Sequence, residues 1–127
     1  MIVVNWNTRE YLAECLASIL ADDGLSLAGR DVAAQPGQTS VEVIVVDNAS
    51  DDDSAAMVAA RFPQVHLIEN DRNAGFALAN NQAIAHARGR VLFLLNPDAY
   101  VLPGALAALV RFLDRHPQAA AVGPNVL

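Results

Sequence analysis

Short apolar runs alternate with helix-like segments along this chain, and that alternation limits the folds it can adopt. The runs MIVVN and VEVIVVD are rich in β-branched residues, which is typical of strands covered on both faces. Between them, NTREYLAECLASIL carries apolar residues at helical spacing. We therefore expect βαβ units and an α/β fold: a Rossmann-like, mostly parallel sheet with helices on both faces.

The remaining elements follow from the same two periodicities. VHLIEN and VLFLL are predicted strands, and AAAVGP is expected to form a fifth. SAAMVAARF, FALANNQAIAHAR and GALAALVRFLDRH are predicted helices. Phe76 is expected on the apolar side of the second of these, which Gly89 would cap. Pro103 is expected in the first turn of the last.

Two segments near the N-terminus carry more specific signals. Asn7, with Glu10 three residues later, has the spacing of a capping box at the start of the first helix, whose apolar stripe begins with Tyr11. The segment Ala21 to Ser40 contains Gly, Pro and polar residues without a strong period. We interpret residues 21–40 as a long surface loop insertion.

Composition excludes several classes of protein. The chain has 127 residues, which fits one domain or part of one, and a net charge of -6. Its basic residues are all Arg and form no cluster, so binding to a nucleic acid is not expected. The single Cys15 lies in an apolar helical pattern and is expected in the core. Without a membrane-spanning run or a signal peptide, a cytoplasmic location is expected.

Polar residues gather where the predicted strands end. In parallel α/β sheets, ligands bind outside the carboxyl ends of the strands, so these residues are expected to converge on one crevice. They are Asn5 and Asn7 after the first strand, Asp47 and Asn48 after the second, Asp71 to Asn73 after the third, and Asn96 and Asp98 after the fourth.

The chain has neither of the common glycine-rich phosphate loops. A diphosphate would then need another source of positive charge, and Mg²⁺ or Mn²⁺ held by the oxygens of Asn96 and Asp98 would supply it. Spacing alone leaves open that Asn96-Pro97-Asp98 is only a turn. It also leaves open whether Asp47 accepts a hydrogen bond from a nucleotide or caps a loop. Arg72 would meet a phosphate or remain solvated.

Four segments together resemble family 2 glycosyltransferases of the GT-A fold, in the rhamnosyltransferase-like branch. They are VVNWNTREYLAECLASIL, VIVVDNASDDDS, LIENDRNAGFALANNQAI and VLFLLNPDAYVLPGALAALVRFLDRHP, in the family's order and spacing. The resemblance covers nearly the whole chain outside the 21–40 loop. It implies that residues 1–127 form the nucleotide-sugar-binding part of a GT-A domain.

The resemblance also implies roles for individual residues. Asp47 matches the aspartate that contacts the nucleotide base, and Asn5 and Asn7 match residues that line the base and ribose pocket. Asn96-Pro97-Asp98 matches the family's Asp-x-Asp metal motif. Its first acid is Asn here, so Asp98 would be the main Mg²⁺ or Mn²⁺ ligand. The residues expected to flank the nucleotide are Asn48, Arg72, Asn73, Gly75 and Asn81. Because Asn is mildly unfavourable in the middle of a helix, Asn81 is also expected to make a buried hydrogen bond to a neighbouring loop.

The implied reaction is inverting transfer from a UDP- or dTDP-sugar, with dTDP-rhamnose among the candidates, to a glycan or lipid-linked glycan. In the family the catalytic base follows the metal motif in an acceptor-binding half. The base is therefore expected beyond Leu127, and Asp114 is not a credible substitute for it.

We accordingly expect a fragment of a longer enzyme, inactive or weakly active alone, which acts at the inner face of the membrane and is able to self-associate. The alternative is a non-catalytic module that binds nucleotide or another protein through the same fold.

Overall fold

The structure is a computed structural model that describes residues 1–28 and 36–124. Leu127, beyond which the catalytic base is expected, lies outside the described residues. None of the helices in these ranges is long and apolar enough to cross a membrane. In chain order the elements are β1 Ile2–Asn5, α1 Arg9–Leu20, β2 Leu25–Leu27, β3 Thr39–Val41, β4 Ile44–Asp47, α2 Ser54–Arg61, β5 His66–Glu69, α3 Phe76–His86, β6 Leu94–Leu95 and α4 Ala105–Arg115.

The main sheet has four parallel strands in the order β5-β4-β1-β6. Its register pairs Val3 of β1 with Val45 of β4, and Val45 with Leu67 of β5. β4 and β5 therefore lie in succession on one side of β1. β6 lies on the other side of β1. The order of strands therefore reverses beside β1, and a crevice opens at the carboxyl ends at such a reversal.

Helices cover both faces of the sheet, as the sequence predicts. Val3 and Val45 point to one face, where they join a core formed with α1, α2 and Leu106 of α4. Ile2, Ile44 and Val46 point to the other face and pack on Ala79 and Ala83 of α3. Successive side chains of a strand point to opposite faces of the sheet. A strand that is covered on both faces therefore has apolar residues at successive positions, as Ile44, Val45 and Val46 show in β4. The α/β fold class is confirmed.

The segment between α1 and β4 differs in part from the expected loop. β2 and β3 form a separate two-stranded parallel sheet in which Leu25 pairs with Thr39 and Leu27 with Val41. The run Val41 to Asp47 is therefore divided, since Val41 belongs to this small sheet and Ile44 begins the main one. Leu25 is buried and joins the core, which explains why a segment without periodicity is still ordered there. Residues 29–35 of the expected 21–40 loop lie outside the described residues.

The last two predicted strands are wrong: the fourth is shorter than predicted, and the fifth does not form. β6 is limited to Leu94–Leu95, and residues 119–124 contain no strand. A strand is stabilised by a neighbouring ladder, and β6 pairs with β1 through only two residues and leaves Leu94 50% exposed. The alanines at 119–121 also bury little apolar area.

Several predicted helix ends are also wrong. Thr8, not Asn7, is the N-cap of α1, and it makes no side-chain capping bond. α3 ends with Ala87 in an extended conformation, so Gly89 is not its cap. Gly104 is the N-cap of α4, which leaves Pro103 outside the helix. Tyr11 and Phe76, placed on buried stripes by their spacing, are each 59% exposed.

Glu42, between β3 and β4, binds the segment that connects α3 to β6. Its Oε1 accepts hydrogen bonds from the backbone N–H groups of Arg88 and Gly89, and its Oε2 lies 3.7 Å from Arg88 Nε. Partial burial acts to raise the pKa of the Glu42 carboxyl. The backbone donors of Arg88 and Gly89, together with nearby positive charge, outweigh it and lower that pKa below its ordinary value.

Glu42→Gln is expected to destabilise the protein at neutral pH and to have little effect near pH 3. A folded-state pKa below the unfolded value gives stability that is present above the unfolded pKa and is lost as the pH falls through the folded one. Because the Arg88 side chain is 65% exposed, solvent screens the pair, and the loss at pH 7 should stay below about 1 kcal/mol. Urea denaturation at both pH values measures it. Glu10→Gln, the same change at an exposed helix position, is the control, and an equal loss at both pH values would contradict the assignment.

Candidate functional site at the carboxyl edge of the sheet

The first predicted site residues meet at the carboxyl ends of the two central strands. Asn5 ends β1 and Asp47 ends β4, and the register places them opposite each other. Their side chains are joined directly, because Asn5 Nδ2 donates to Asp47 Oδ1 at 2.8 Å. Both residues are buried, Asn5 fully and Asp47 with 3% exposure. The structure therefore brings this predicted pair together beneath the surface of the crevice.

Ser50 completes the bonding of this pair. Its hydroxyl donates to Asp47 Oδ1 at 2.6 Å and its backbone N–H donates to Oδ2 at 2.9 Å. Thr8 Oγ1 donates to Asn5 Oδ1 at 2.6 Å, so both oxygens of the carboxylate and the amide oxygen are satisfied. Sequence reasoning did not single out Ser50. Its position three residues after an Asp that ends a strand is the pattern of a side chain closing its own loop.

The loop after β4 is tied to the start of α1. Asn7, with a positive φ of 53°, accepts a hydrogen bond from the Asp51 backbone N–H at 2.7 Å through its Oδ1. Asp52 Oδ2 accepts from the Arg9 backbone N–H at 2.9 Å, which satisfies one of the free donors at the N-terminus of α1. Asn7 is exposed at the mouth of the crevice.

Asn48 is also buried, with 2% exposure. Its Oδ1 accepts from Asn70 Nδ2 at 2.9 Å and from the Ala74 backbone N–H at 3.4 Å, while its Nδ2 donates to the Gly75 carbonyl at 3.5 Å. Asn48 therefore connects the end of β4 to the loop that begins α3. Like Asp47, it is buried with its polar side-chain atoms bonded within the protein.

The other predicted residues of this side are exposed. Arg72 and Asn81 line a cavity of about 480 Å³ beside the start of α3. Asn73 is exposed, and its Oδ1 accepts from the Gly75 backbone N–H at 2.9 Å. The expected buried hydrogen bond of Asn81 is wrong. The neighbouring Asn80 is the buried residue, and its Nδ2 donates to the Phe76 carbonyl at 2.9 Å.

Gly75→Ala is expected to destabilise the protein by about 1–3 kcal/mol, because Gly75 has φ 81° and ψ 164°, a conformation that only glycine adopts readily. A Cβ would meet no atom within 4 Å, so the cost is conformational and not a collision. Urea denaturation measures it. Gly123→Ala is the matched control, since Gly123 is equally open and its φ is not in the left-handed region. Equal stability of the two variants would contradict the expectation.

Asn96-Pro97-Asp98 follows β6, which pairs with β1 on the side away from β4. The three residues form a turn in which the Ala99 backbone N–H donates to the Asn96 carbonyl at 3.2 Å. Asn96 and Asp98 are both exposed. They follow the carboxyl end of a strand in the same parallel sheet as Asp47, so the two carboxylates share an edge of the molecule.

Asn96 and Asp98 fit a hard divalent cation by their donor chemistry. Carboxylate and amide oxygens are the ligands that Mg²⁺ prefers, and such an ion usually completes its shell with water and phosphate oxygens. No cluster of three or more His, Cys, Asp and Glu residues occurs within residues 1–28 and 36–124. A cation at Asp98 would therefore depend on oxygens that a bound diphosphate supplies.

Cys15 lies behind this turn and is 1% exposed, as expected of a core residue. Its Sγ is 3.8 Å from the Asn96 carbonyl oxygen. Burial, with the nearby charge of Asp98 as a second cause, raises the pKa of the Cys15 thiol to about 11. The thiol is therefore protonated at neutral pH, which makes it a poor nucleophile.

Sequence reasoning missed two exposed aromatic residues at this edge. Trp6, between Asn5 and Asn7, is 56% exposed, and Phe76 begins α3. A large aromatic residue directly after an apolar strand is the signal that could have found Trp6, because such rings stack on nucleobases. No comparable signal marks Phe76, which begins α3.

Another cavity, of about 920 Å³, lies elsewhere. It is lined mainly by α4 and by the segment that leads into β6, including Leu92, Phe93, Leu109 and Val110. None of the predicted site residues lines it, so we place the candidate site at the carboxyl edge in spite of its smaller cavity.

A parallel α/β sheet with a strand-order reversal and polar residues at its carboxyl edge defines a ligand-binding domain of the Rossmann-like class. The sequence profile described as glycosyl transferase family 2 matches residues 1–126. The chain belongs to that family.

Two relatives illustrate the match. The succinoglycan biosynthesis protein ExoO of Rhizobium meliloti is 34% identical over 114 residues, which are 89% of this chain and 29% of ExoO. The N-acetylglucosaminyl-diphospho-decaprenol L-rhamnosyltransferase of Mycobacterium tuberculosis is 30% identical over 137 residues, with 99% of this chain and 40% of the relative covered. The chain thus spans less than half the length of either relative.

Solved structures have the same fold. The mannosyltransferase PcManGT of Pyrobaculum calidifontis, in complex with GDP-Man and Mn²⁺, superposes with a TM-score of 0.69 at 29% identity, over 88% of this chain and 31% of that chain. TarS 1-349 of S. aureus gives a TM-score of 0.71 at 24% identity, over 91% of this chain and 32% of that chain. The expected GT-A glycosyltransferase fold is confirmed.

Proposed function

We propose that residues 1–127 form the nucleotide-sugar-binding part of a glycosyltransferase. The reaction is inverting transfer of a sugar from a UDP- or dTDP-sugar, with dTDP-rhamnose a candidate donor, to a glycan or lipid-linked glycan at the cytoplasmic face of a membrane. The observation that carries this proposal is the hydrogen bond between Asn5 and Asp47 at the carboxyl edge of the sheet. Asp98 comes after the carboxyl end of β6 and lies at the same edge. The name of the rhamnosyltransferase relative supports the sugar class and the lipid-linked acceptor.

In this proposal the buried residues support the loops, and the exposed residues contact the nucleotide. Asn5, Asp47 and Asn48 hold the loops in place from beneath, because their polar groups are already engaged within the protein. The nucleotide contacts the exposed residues above them. Trp6 stacks on the base, and Arg72 binds a phosphate. The exposed set at this edge is Trp6, Asn7, Arg72, Asn73, Gly75 and Asn81.

Asp98 and Asn96 would hold a Mg²⁺ or Mn²⁺ ion at the diphosphate. When bound, the ion neutralises charge that develops on the departing nucleoside diphosphate. The complex of PcManGT with GDP-Man and Mn²⁺ supports this choice of cofactor.

We assign no general base within the described residues. Asp114 is exposed on α4, and its Oδ1 is 2.8 Å from Arg90 Nη2, so it is engaged in an ion pair away from the carboxyl edge. The base expected beyond Leu127 lies outside residues 1–28 and 36–124, and its position stays a prediction.

Calorimetric titration with UDP, dTDP and GDP, each with and without Mn²⁺, tests the proposal. We expect one nucleotide to bind and its affinity to rise with Mn²⁺. GDP is included because PcManGT holds GDP-Man. Failure of all three nucleotides to bind would overturn the proposal and favour a non-catalytic protein-interaction module.

A further inference from the structure

Three side-chain amides form a continuous hydrogen-bonded chain beside the candidate site. Asn70 follows β5, and its Nδ2 donates to Asn48 Oδ1 at 2.9 Å and to Gln82 Oε1 at 2.9 Å. In return, Gln82 Nε2 donates to Asn70 Oδ1 at 3.0 Å. The chain therefore runs from the end of β4 through the end of β5 to the middle of α3.

The backbone fixes the orientation of every amide in this chain. The Ala74 N–H can only donate and the Gly75 carbonyl can only accept, so Asn48 must place its Oδ1 toward Ala74 and its Nδ2 toward Gly75. Asn70 then has to present its NH₂ group to Asn48, and its own oxygen is left to face Gln82. Reversing any one amide would set donor against donor or acceptor against acceptor.

We propose that Asn70 is a positioning residue, which holds the Asn48 side chain and, through it, the loop 73–75 in the geometry that receives the nucleotide. This inference rests on the proposed function for its ligand, while the positioning itself concerns the protein alone. Asn70 lines the same cavity as Arg72 and Asn81, but its side chain is bonded to Asn48 and Gln82, so we assign it a role that acts through Asn48. Its backbone N–H donates to the Asp47 carbonyl at 2.9 Å, so its place at the strand end is fixed independently of its side chain.

Asn70→Asp is the sharpest test, because it preserves size and removes the two donors. A carboxylate oxygen would then face Asn48 Oδ1, and turning Asn48 to relieve that contact would aim its Nδ2 at the Ala74 N–H. We expect hydrogen exchange at the Ala74 and Gly75 amides to rise at least about tenfold in the ligand-free protein, with exchange within β4 unchanged. Nucleotide affinity should fall about tenfold, within the range seen when a supporting residue behind a ligand is lost.

Two amide-to-carboxylate variants separate positioning from charge. Gln82→Glu adds the same charge nearby but keeps an acceptor for Asn70 and leaves the bond from Asn70 to Asn48 in place, so its effect on both measurements should be smaller. Gln64→Glu makes the same change before β5, at the opposite edge of the sheet, and should change neither.

Exchange at Ala74 and Gly75 that is unchanged in Asn70→Asp would overturn the inference, as would equal effects of Asn70→Asp and Gln82→Glu. Raised exchange with weakened nucleotide binding would support it in full. If the wild-type protein binds none of UDP, dTDP and GDP, the proposed function fails, and raised exchange in Asn70→Asp would still support the positioning of the loop.

Discussion

Replacing Asp98 by alanine should abolish the gain in nucleotide affinity that Mn²⁺ provides. Asp98 brings the only full negative charge of the Asn96-Pro97-Asp98 turn, and both candidate ligand side chains are exposed. A hard cation bound through so few protein oxygens depends strongly on each of them. We expect affinity in the presence of Mn²⁺ to fall on the order of 100-fold, or about 2.7 kcal/mol, while affinity without the metal stays nearly constant.

Three further variants show whether the effect comes from the metal. Asp98→Asn removes the charge and keeps the shape, so it should lose most of the Mn²⁺ gain. Asn96→Asp adds a carboxylate to the turn and should strengthen the dependence on Mn²⁺. Asp23→Asn removes one charge near the end of α1, at the opposite edge of the sheet, and should leave binding unchanged. An undiminished Mn²⁺ gain in Asp98→Ala would show that the turn does not hold the cation.

The fold could be predicted from sequence because its signals report burial. β4 is apolar at nearly every position since both of its faces are covered, and α1 shows a stripe of Leu12, Cys15, Leu16 and Ile19 since one face is covered. Such patterns reflect the hydrophobic effect directly and do not depend on knowing the partner element. They predicted the alternation of strands and helices and the edge at which their polar residues meet.

The patterns could not separate ligand-facing residues from supporting ones. Asn80 and Asn81 are adjacent in α3, and only their 100° offset around the helix decides that Asn80 is buried and Asn81 exposed. Asp47 similarly signals a polar role without showing that Asn5 and Ser50 occupy its oxygens. The pairing of β2 with β3 was invisible for a related reason, since each has three residues and neither is long enough to show a period.

Asp47→Ala should destabilise the protein by about 2–4 kcal/mol, a large part of the 5–15 kcal/mol that holds a domain folded. The substitution removes the acceptor of the Ser50 N–H and one of the two acceptors of Asn5 Nδ2, whose remaining bond is to Ser50 Oγ at 3.1 Å, at a position with 3% exposure. An unsatisfied buried donor costs its full desolvation energy, which is larger than the net gain from an ordinary hydrogen bond. Urea denaturation gives the value, and Asp51→Ala, at an exposed position four residues later, is the control.

Asp47→Asn decides between support of the loop and direct contact with the nucleotide. Its amide oxygen could still accept from Asn5 and the Ser50 hydroxyl, but its NH₂ group would face the Ser50 backbone N–H. If Asp47 holds the loop, stability and nucleotide affinity should therefore fall together, and an added Ser50→Ala substitution should not deepen the loss by its full separate amount. Wild-type stability with lost binding would instead mean that the carboxylate itself contacts the base, after the loop has opened to expose it.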